Sequence, residues 1–130
     1  MMTTTILVVD DASLVRAQLR GALGRAGYVV LEAGDGLEAL AHLEAHASSV
    51  KLIISDIHMP NMNGLELLER LHVAGSTTPV IILTAEADPE IIRRAKALGA
   101  RGWLMKPLKV DYMTAMVAKV VASGGQVSPT

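Results

Sequence analysis

Four stretches of this chain run into side chains that can handle a hard cation or a phosphoryl group: Asp10-Asp11, Asp56, Thr84 and Lys106-Pro107. Each follows a short apolar run, at residues 6–9, 52–54, 80–83 and 103–105. Three carboxylates brought into one small volume repel one another, which raises their pKa values and costs stability unless a cation sits among them. An all-oxygen donor set without His or Cys selects a hard divalent ion, Mg2+ or Mn2+, kept partly hydrated and open to a phosphoryl oxygen. Asp56 is the natural nucleophile, because a carboxylate can take a phosphoryl group as an acyl phosphate while a metal and an ammonium neutralise the developing charge. The Lys106 ammonium and the Thr84 hydroxyl suit the oxygens of such a group better than they suit a neutral substrate. Singly, each of these residues is an ordinary polar strand end; the reading rests on their conjunction.

The elements that must position them are legible from hydrophobic pattern. The four apolar runs, with a weaker fifth at 28–31, are of strand length and continuous rather than alternating, as in a parallel sheet covered on both faces. Between them, apolar residues recur at three and four: Val15, Leu19, Ala22 and Leu23; Leu37, Leu40 and Leu43; Leu65, Leu68 and Leu71; Ile91, Ala95 and Leu98; and Val110, Met113, Val117, Val120 and Val121. Gly27, Gly75 and Gly99 stand where helices end, and Asp88-Pro89 reads as an N-cap with proline in the first turn. Five βα units imply right-handed crossovers and a three-layer α/β domain. In such a sheet ligands gather beyond the carboxyl ends of the strands, and all four chemical segments share that edge. No internal repeat or interdomain linker is visible, and residues 123–130 read as a frayed Gly/Ser/Pro-rich tail or the start of a linker.

Composition removes several alternatives. One hundred and thirty residues suit a single domain, and a 51% hydrophobic content supports a packed core. Twelve Lys+Arg against thirteen Asp+Glu give a formal charge of −1, with no basic run to track a row of phosphates, so no direct nucleic-acid partner is expected. The absence of cysteine removes disulfides, thiolate nucleophiles and thiolate metal sites. No apolar stretch approaches the roughly 20 residues of a membrane span, and the first residues lack the features of a signal peptide. A soluble cytoplasmic protein without membrane insertion is the expectation. Tyr28, Trp103 and Tyr112 are the only aromatics, which argues against a flavin sandwich or a base-stacking platform.

The segments Leu7-Val8-Val9-Asp10-Asp11, Ser55-Asp56-Ile57-His58-Met59-Pro60-Asn61-Met62-Asn63-Gly64, Leu83-Thr84-Ala85 and Trp103-Leu104-Met105-Lys106-Pro107 resemble the receiver domains of two-component response regulators. The resemblance covers about residues 4–122, and in style is nearest to the stand-alone, CheY-like regulators. It implies a receiver domain over 1–122 with a flexible tail, and a flavodoxin-like doubly wound sheet in the order 2-1-3-4-5. It also implies that Asp56 accepts a phosphoryl group from a sensor histidine kinase. Asp10, Asp11, Asp56 and the backbone carbonyl of His58 would hold Mg2+, and Lys106, aimed by a cis Lys106–Pro107 bond, would contact the phosphoryl oxygens. Thr84 would move toward the phosphorylated Asp56 while Trp103 swings inward. The resulting population shift would act on a downstream protein through the face of the fourth helix, fifth strand and fifth helix, about residues 88–122. Such a protein would be a signalling switch, chemotactic or an adaptor in a phosphorelay, a monomer or a phosphorylation-dependent dimer, with no enzymatic turnover beyond its own phosphorylation and dephosphorylation.

Some positions depart from the pattern. Trp103 stands where Tyr or Phe is commoner, so a larger ring has to be buried, and Leu108 replaces a frequent Phe. His58 and Glu86, two residues beyond Asp56 and Thr84, sit where the family tunes the lifetime of the phosphate. His42 and His46 have chelating spacing but no third ligand and read as a solvated face, as does His72. The methionines read as core filler, with Met113 and Met116 available to a partner. Gly21, Gly24, Gly34 and Gly36 do not form a phosphate loop. Three rivals share the pattern in part: a receiver that belongs to a larger regulator or hybrid kinase; a haloacid dehalogenase-type aspartyl-phosphate hydrolase, which favours Asp-x-Asp after the first strand; and a flavin carrier.

Overall fold

Aliphatic runs become strands and the segments of three-to-four spacing become helices. The computed structural model describes residues 3–46, 48–86 and 88–123. In chain order these form β1 (Thr5–Val9), α1 (Ser13–Arg25), β2 (Val29–Ala33), α2 (Gly36–His46), β3 (Val50–Asp56), α3 (Gly64–Val73), β4 (Val80–Thr84), α4 (Pro89–Ala97), β5 (Gly102–Met105) and α5 (Val110–Ala122). The strands pair in the order β2-β1-β3-β4-β5, every pair parallel, so the fold is the expected flavodoxin-like doubly wound sheet.

Strand residues alternate between two cores. Leu7, Val9, Ile53 and Ile82 face α2, α3 and α4, where Leu65, Leu68 and Ala95 meet them. Ile6, Val8, Ile54, Ile81 and Leu104 face α1 and α5, against Leu19, Leu23, Met113 and Val117. Chain punctuation is as the sequence indicates: Gly27, Gly75 and Gly99 have positive φ, and the Asp88 carboxylate accepts from Glu90 N at 2.9 Å ahead of Pro89. At α3 the Asn63 side chain and Glu66 form a reciprocal capping box.

Several expectations need correction. Leu37 is 53% exposed rather than part of an inward stripe. Leu40 and Leu43 of the same stripe pack against the core, while the first turn of α2 lies against Met62 through Gly36, where a Cβ would meet that side chain at 2.6 Å. Val110 opens α5 beyond the sheet and is exposed, and β2, an edge strand, leaves Val29 exposed instead of covered on both faces. Met113 is fully buried beneath α5, so it does not face a partner. Beyond Ser123, the tail expected at 123–130 lies outside the described residues.

Candidate functional site

β1 delivers Asp10 to the carboxyl edge of the sheet with no exposed surface. Its Oδ1 accepts from Ala12 N at 2.9 Å, which turns the chain into α1 and leaves Oδ2 aimed at the site. One turn on, Arg16 donates to the Asp10 carbonyl at 2.6 Å and to Glu32 Oε1 at 3.2 Å. Arg20 binds the other Glu32 oxygen, and these guanidiniums, Arg20 first, hold the Glu32 carboxyl below the usual carboxylate range against the opposing effect of burial. The strap ties the β1–α1 turn, and with it the acidic pair, to β2.

β3 ends at Asp56, 5% exposed, whose Oδ1 accepts from Ile57 N at 2.7 Å. The helix that follows begins directly against this strand end: Gly64 N donates to Ile57 O at 2.9 Å, and a Cβ at Gly64 would lie 2.0 Å from Asp56 O. The intervening loop is latched to α2. Asp35 accepts from Glu38 N at 2.9 Å and from Asn61 Nδ2 at 2.7 Å, while Gly36 N donates to Met62 O at 3.0 Å. Those bonds, the Glu38 amide first, lower the Asp35 pKa despite burial. Asn61 takes a left-handed conformation, φ 64°, to make the turn.

β4 and β5 supply the rest. Thr84 is fully buried; its Oγ1 accepts from Glu86 N at 3.3 Å and its carbonyl from Lys106 N at 2.8 Å. The Lys106–Pro107 bond is cis. From there Lys106 Nζ donates to Asp56 Oδ2 at 2.8 Å and lies 2.9 Å from Asp10 Oδ2. Burial opposes the charge of this ammonium, but the two carboxylates outweigh it and raise its pKa.

The donor set fits a hard divalent ion. Carboxylate oxygens of Asp10, Asp11 and Asp56 lie within 4.8 Å of one another. Asp10 Oδ2 is buried and, although close to Lys106, has no aligned hydrogen-bond donor among the described residues. Three carboxylates with one ammonium leave two formal negative charges in the cleft, and exposed Asp11 leaves it open to solvent. An all-oxygen cluster of this charge is suited to a hard divalent ion such as Mg2+.

Asp10, Asp11, Asp56 and Lys106 thus converge, with Thr84 on the same edge. His58 and Glu86 stand at the mouth, both exposed, with Nε2 3.7 Å from Oε2. Trp103 is half-buried against the core under α4 and donates from Nε1 to Met105 Sδ at 3.3 Å. His42 and His46 stack on α2 with ring centroids 6.3 Å apart, and His72 is exposed. Arg16, Glu32, Asp35 and Asn61 support the site without a sequence signal of their own: the first two meet through the β1–β2 register that sets Val8 beside Glu32, the others through loop geometry.

The structure is thus a doubly wound parallel α/β sheet that gathers acids, a hydroxyl and a lysine at one edge. Residues 6–118 match the response regulator receiver domain family, and the chain belongs to that family. It is 34% identical to sporulation initiation phosphotransferase F of Bacillus subtilis over 92% of this chain and 94% of that protein. It is 38% identical to the sensor histidine kinase RcsC of Salmonella typhimurium over 87% of this chain, which spans only 12% of that kinase. The Vibrio cholerae chemotaxis protein CheY4 superposes with a TM-score of 0.83 at 36% identity, covering 91% of this chain and 98% of that one. Among the described residues no helix is long and apolar enough to cross a membrane.

Proposed function

We propose that this receiver domain is phosphorylated on Asp56 by a sensor histidine kinase and signals by a conformational change of its α4–β5–α5 face. The observation that carries this reading is Lys106 Nζ held between the buried Asp56 and Asp10 carboxylates. Asp10, Asp11, Asp56 and the His58 carbonyl would hold Mg2+ or Mn2+, which when bound supplies positive charge to the phosphoryl oxygens. An Asp56 oxygen attacks phosphorus; a P–O bond forms as the P–N bond to the kinase's histidine breaks, and the departing imidazole takes a proton. Lys106 then turns from the Asp56 carboxylate to a phosphoryl oxygen. Among the described residues the Thr84 hydroxyl only accepts, from Glu86 N, and has a proton to donate to the same group. A water attacking phosphorus restores the carboxylate, with His58 and Glu86 at the mouth setting how easily it enters. The protein therefore catalyses only its own phosphorylation and dephosphorylation, in the cytoplasm where such kinases present their phosphohistidine.

Among the described residues the Trp103 indole makes one hydrogen bond, a weak N–H···S contact, so an inward swing costs little hydrogen bonding. A stand-alone chemotaxis-type or phosphorelay regulator is supported by the near end-to-end likeness to CheY4 and to sporulation initiation phosphotransferase F. The RcsC match supports the second reading, a module of a larger regulator or hybrid kinase, and an immunoblot of the native polypeptide's size separates them. The domain reading is tested by Trp103 emission: acetyl phosphate or beryllofluoride with Mg2+ changes it in the wild type, and Asp56→Asn abolishes the response to acetyl phosphate. An unchanged wild-type spectrum contradicts the coupled switch.

A further inference from the structure

Asp10 and Asp11 share a peptide group, and the direction of that peptide decides where the second carboxylate goes. Asp10 is held on several sides: its N–H donates to Ala33 O at 3.0 Å, its Oδ1 accepts from Ala12 N at 2.9 Å, and its carbonyl accepts from Arg16 Nη1 at 2.6 Å. Asp11 is exposed, and among the described residues its carboxylate forms no ion pair. An exposed carboxylate beside two others gains by turning to water, since like charges repel. An Asp11 oxygen nonetheless lies within 4.8 Å of those of Asp10 and Asp56. Its place follows from the peptide before it, and that peptide's carbonyl is gripped by Arg16. Arg16 is aimed in turn from β2: its Nε donates to Glu32 Oε1 at 3.2 Å, and the strand register sets Glu32 opposite Val8. A guanidinium presents its donors on one rigid plane, so a single side chain transmits the position of β2 to the turn between the two acids.

We propose that Arg16 is a positioning residue for the divalent cation: held by Glu32, it fixes the Asp10 carbonyl, keeps the Asp11 carboxylate beside Asp10 and Asp56, and so raises the affinity of the site for Mg2+ or Mn2+. This rests on the reading of Asp10, Asp11 and Asp56 as metal ligands, and adds a residue outside that set. Charge alone argues the other way. A guanidinium close to three carboxylates repels an incoming cation, so losing an arginine that did nothing else would tighten metal binding. A positioning role predicts looser binding, because a residue that orients metal ligands typically carries about tenfold or more of the affinity. The two roles therefore differ in sign. Arg20 separates them further: it bears the same charge and binds the other Glu32 oxygen, but its hydrogen bond goes to Glu32 and not to the turn.

The test is a Mn2+ titration of the unphosphorylated protein, with the free ion read by electron paramagnetic resonance and urea unfolding run without metal to verify that each variant is folded. Arg16→Ala weakens Mn2+ binding by about tenfold, whereas Arg20→Ala binds the ion as tightly as the wild type or more so, although both variants lose one arm of the Glu32 pair. Arg16→Lys keeps the charge and one donor able to reach the carbonyl; its affinity falls between those of Arg16→Ala and the wild type, and it carries the comparison with the wild type if Arg16→Ala does not fold. Binding by the Arg16 variants that equals or exceeds that of the wild type overturns the proposal. So does equal weakening in Arg20→Ala, which would mean that any loosening of the strap acts alike. Asp11→Asn keeps this inference apart from the reading beneath it. A wild type that binds no Mn2+, or an affinity that survives Asp11→Asn, removes the ligand assignment and the proposal together; a loss in Asp11→Asn with none in the Arg16 variants removes the proposal alone.

Discussion

Lys106 Nζ and Asp56 Oδ2, fifty positions apart in the sequence, lie 2.8 Å from each other, and the same ammonium lies 2.9 Å from Asp10. Removing it as Lys106→Met leaves two buried carboxylates facing each other. Breaking a buried pair on one side is destabilising, and partial exposure of the lysine reduces the cost to about 1–3 kcal/mol. Urea unfolding should show that loss, and Mg2+ should restore more stability to the variant than it adds to the wild type. Equal midpoints with and without Mg2+ in both proteins would contradict the electrostatic account.

The Asp35 latch makes a pH-dependent prediction. Hydrogen bonds from the Glu38 amide and Asn61 lower its folded pKa below the ordinary 3.8, so its contribution is fully present above that value and is lost as pH falls through the lower, folded one. The stability difference between wild type and Asp35→Asn should therefore shrink on acidification below pH 3.8. A difference independent of pH in that window would show that the carboxylate's charge is irrelevant. Asp35→Ala, which also removes the cap on α2, should cost about 1 kcal/mol at neutral pH.

Two glycines should respond in opposite directions. A Cβ at Gly64 would fall 2.0 Å from the Asp56 carbonyl oxygen, so Gly64→Ala must displace the peptide that follows the acceptor. We expect a loss of about 1–3 kcal/mol or more, with phosphoryl uptake impaired in whatever folds. Gly24, inside α1, has nothing within 4 Å of such an atom, and Gly24→Ala should stabilise by about 0.5–1 kcal/mol. Thermal melts of the pair decide it; matching shifts would mean that close approach is not what Gly64 serves.

The five βα units and the residues at their strand ends were legible because a parallel sheet maps one kind of sequence position, the end of an apolar run, onto one edge. Asp10, Asp11, Asp56, Thr84 and Lys106 each occupy such a position. Arg16 and Glu32 carry no such mark, since their meeting depends on the β1–β2 register, and Asp35 meets Asn61 only once the loop after β3 has turned. Helix phase was similarly hidden at two places. Leu37, in the first turn of α2, is exposed while Leu40 and Leu43 pack on the core, and on α5 the inward positions are Met113, Val117 and Val120, which leaves Met116 half-buried at the margin. Pattern located these helices; neighbouring elements fixed which residues they show.

We propose that Asp56, a carboxylate set among acids and a lysine, takes up phosphate reversibly. Intact-mass spectrometry after incubation with acetyl phosphate and Mg2+ tests it most directly. The wild type should gain about 80 Da, mapped to Asp56, with no gain in Asp56→Asn or when the metal is chelated. An unmodified wild-type mass, or an adduct on Asp10 that survives Asp56→Asn, would contradict it.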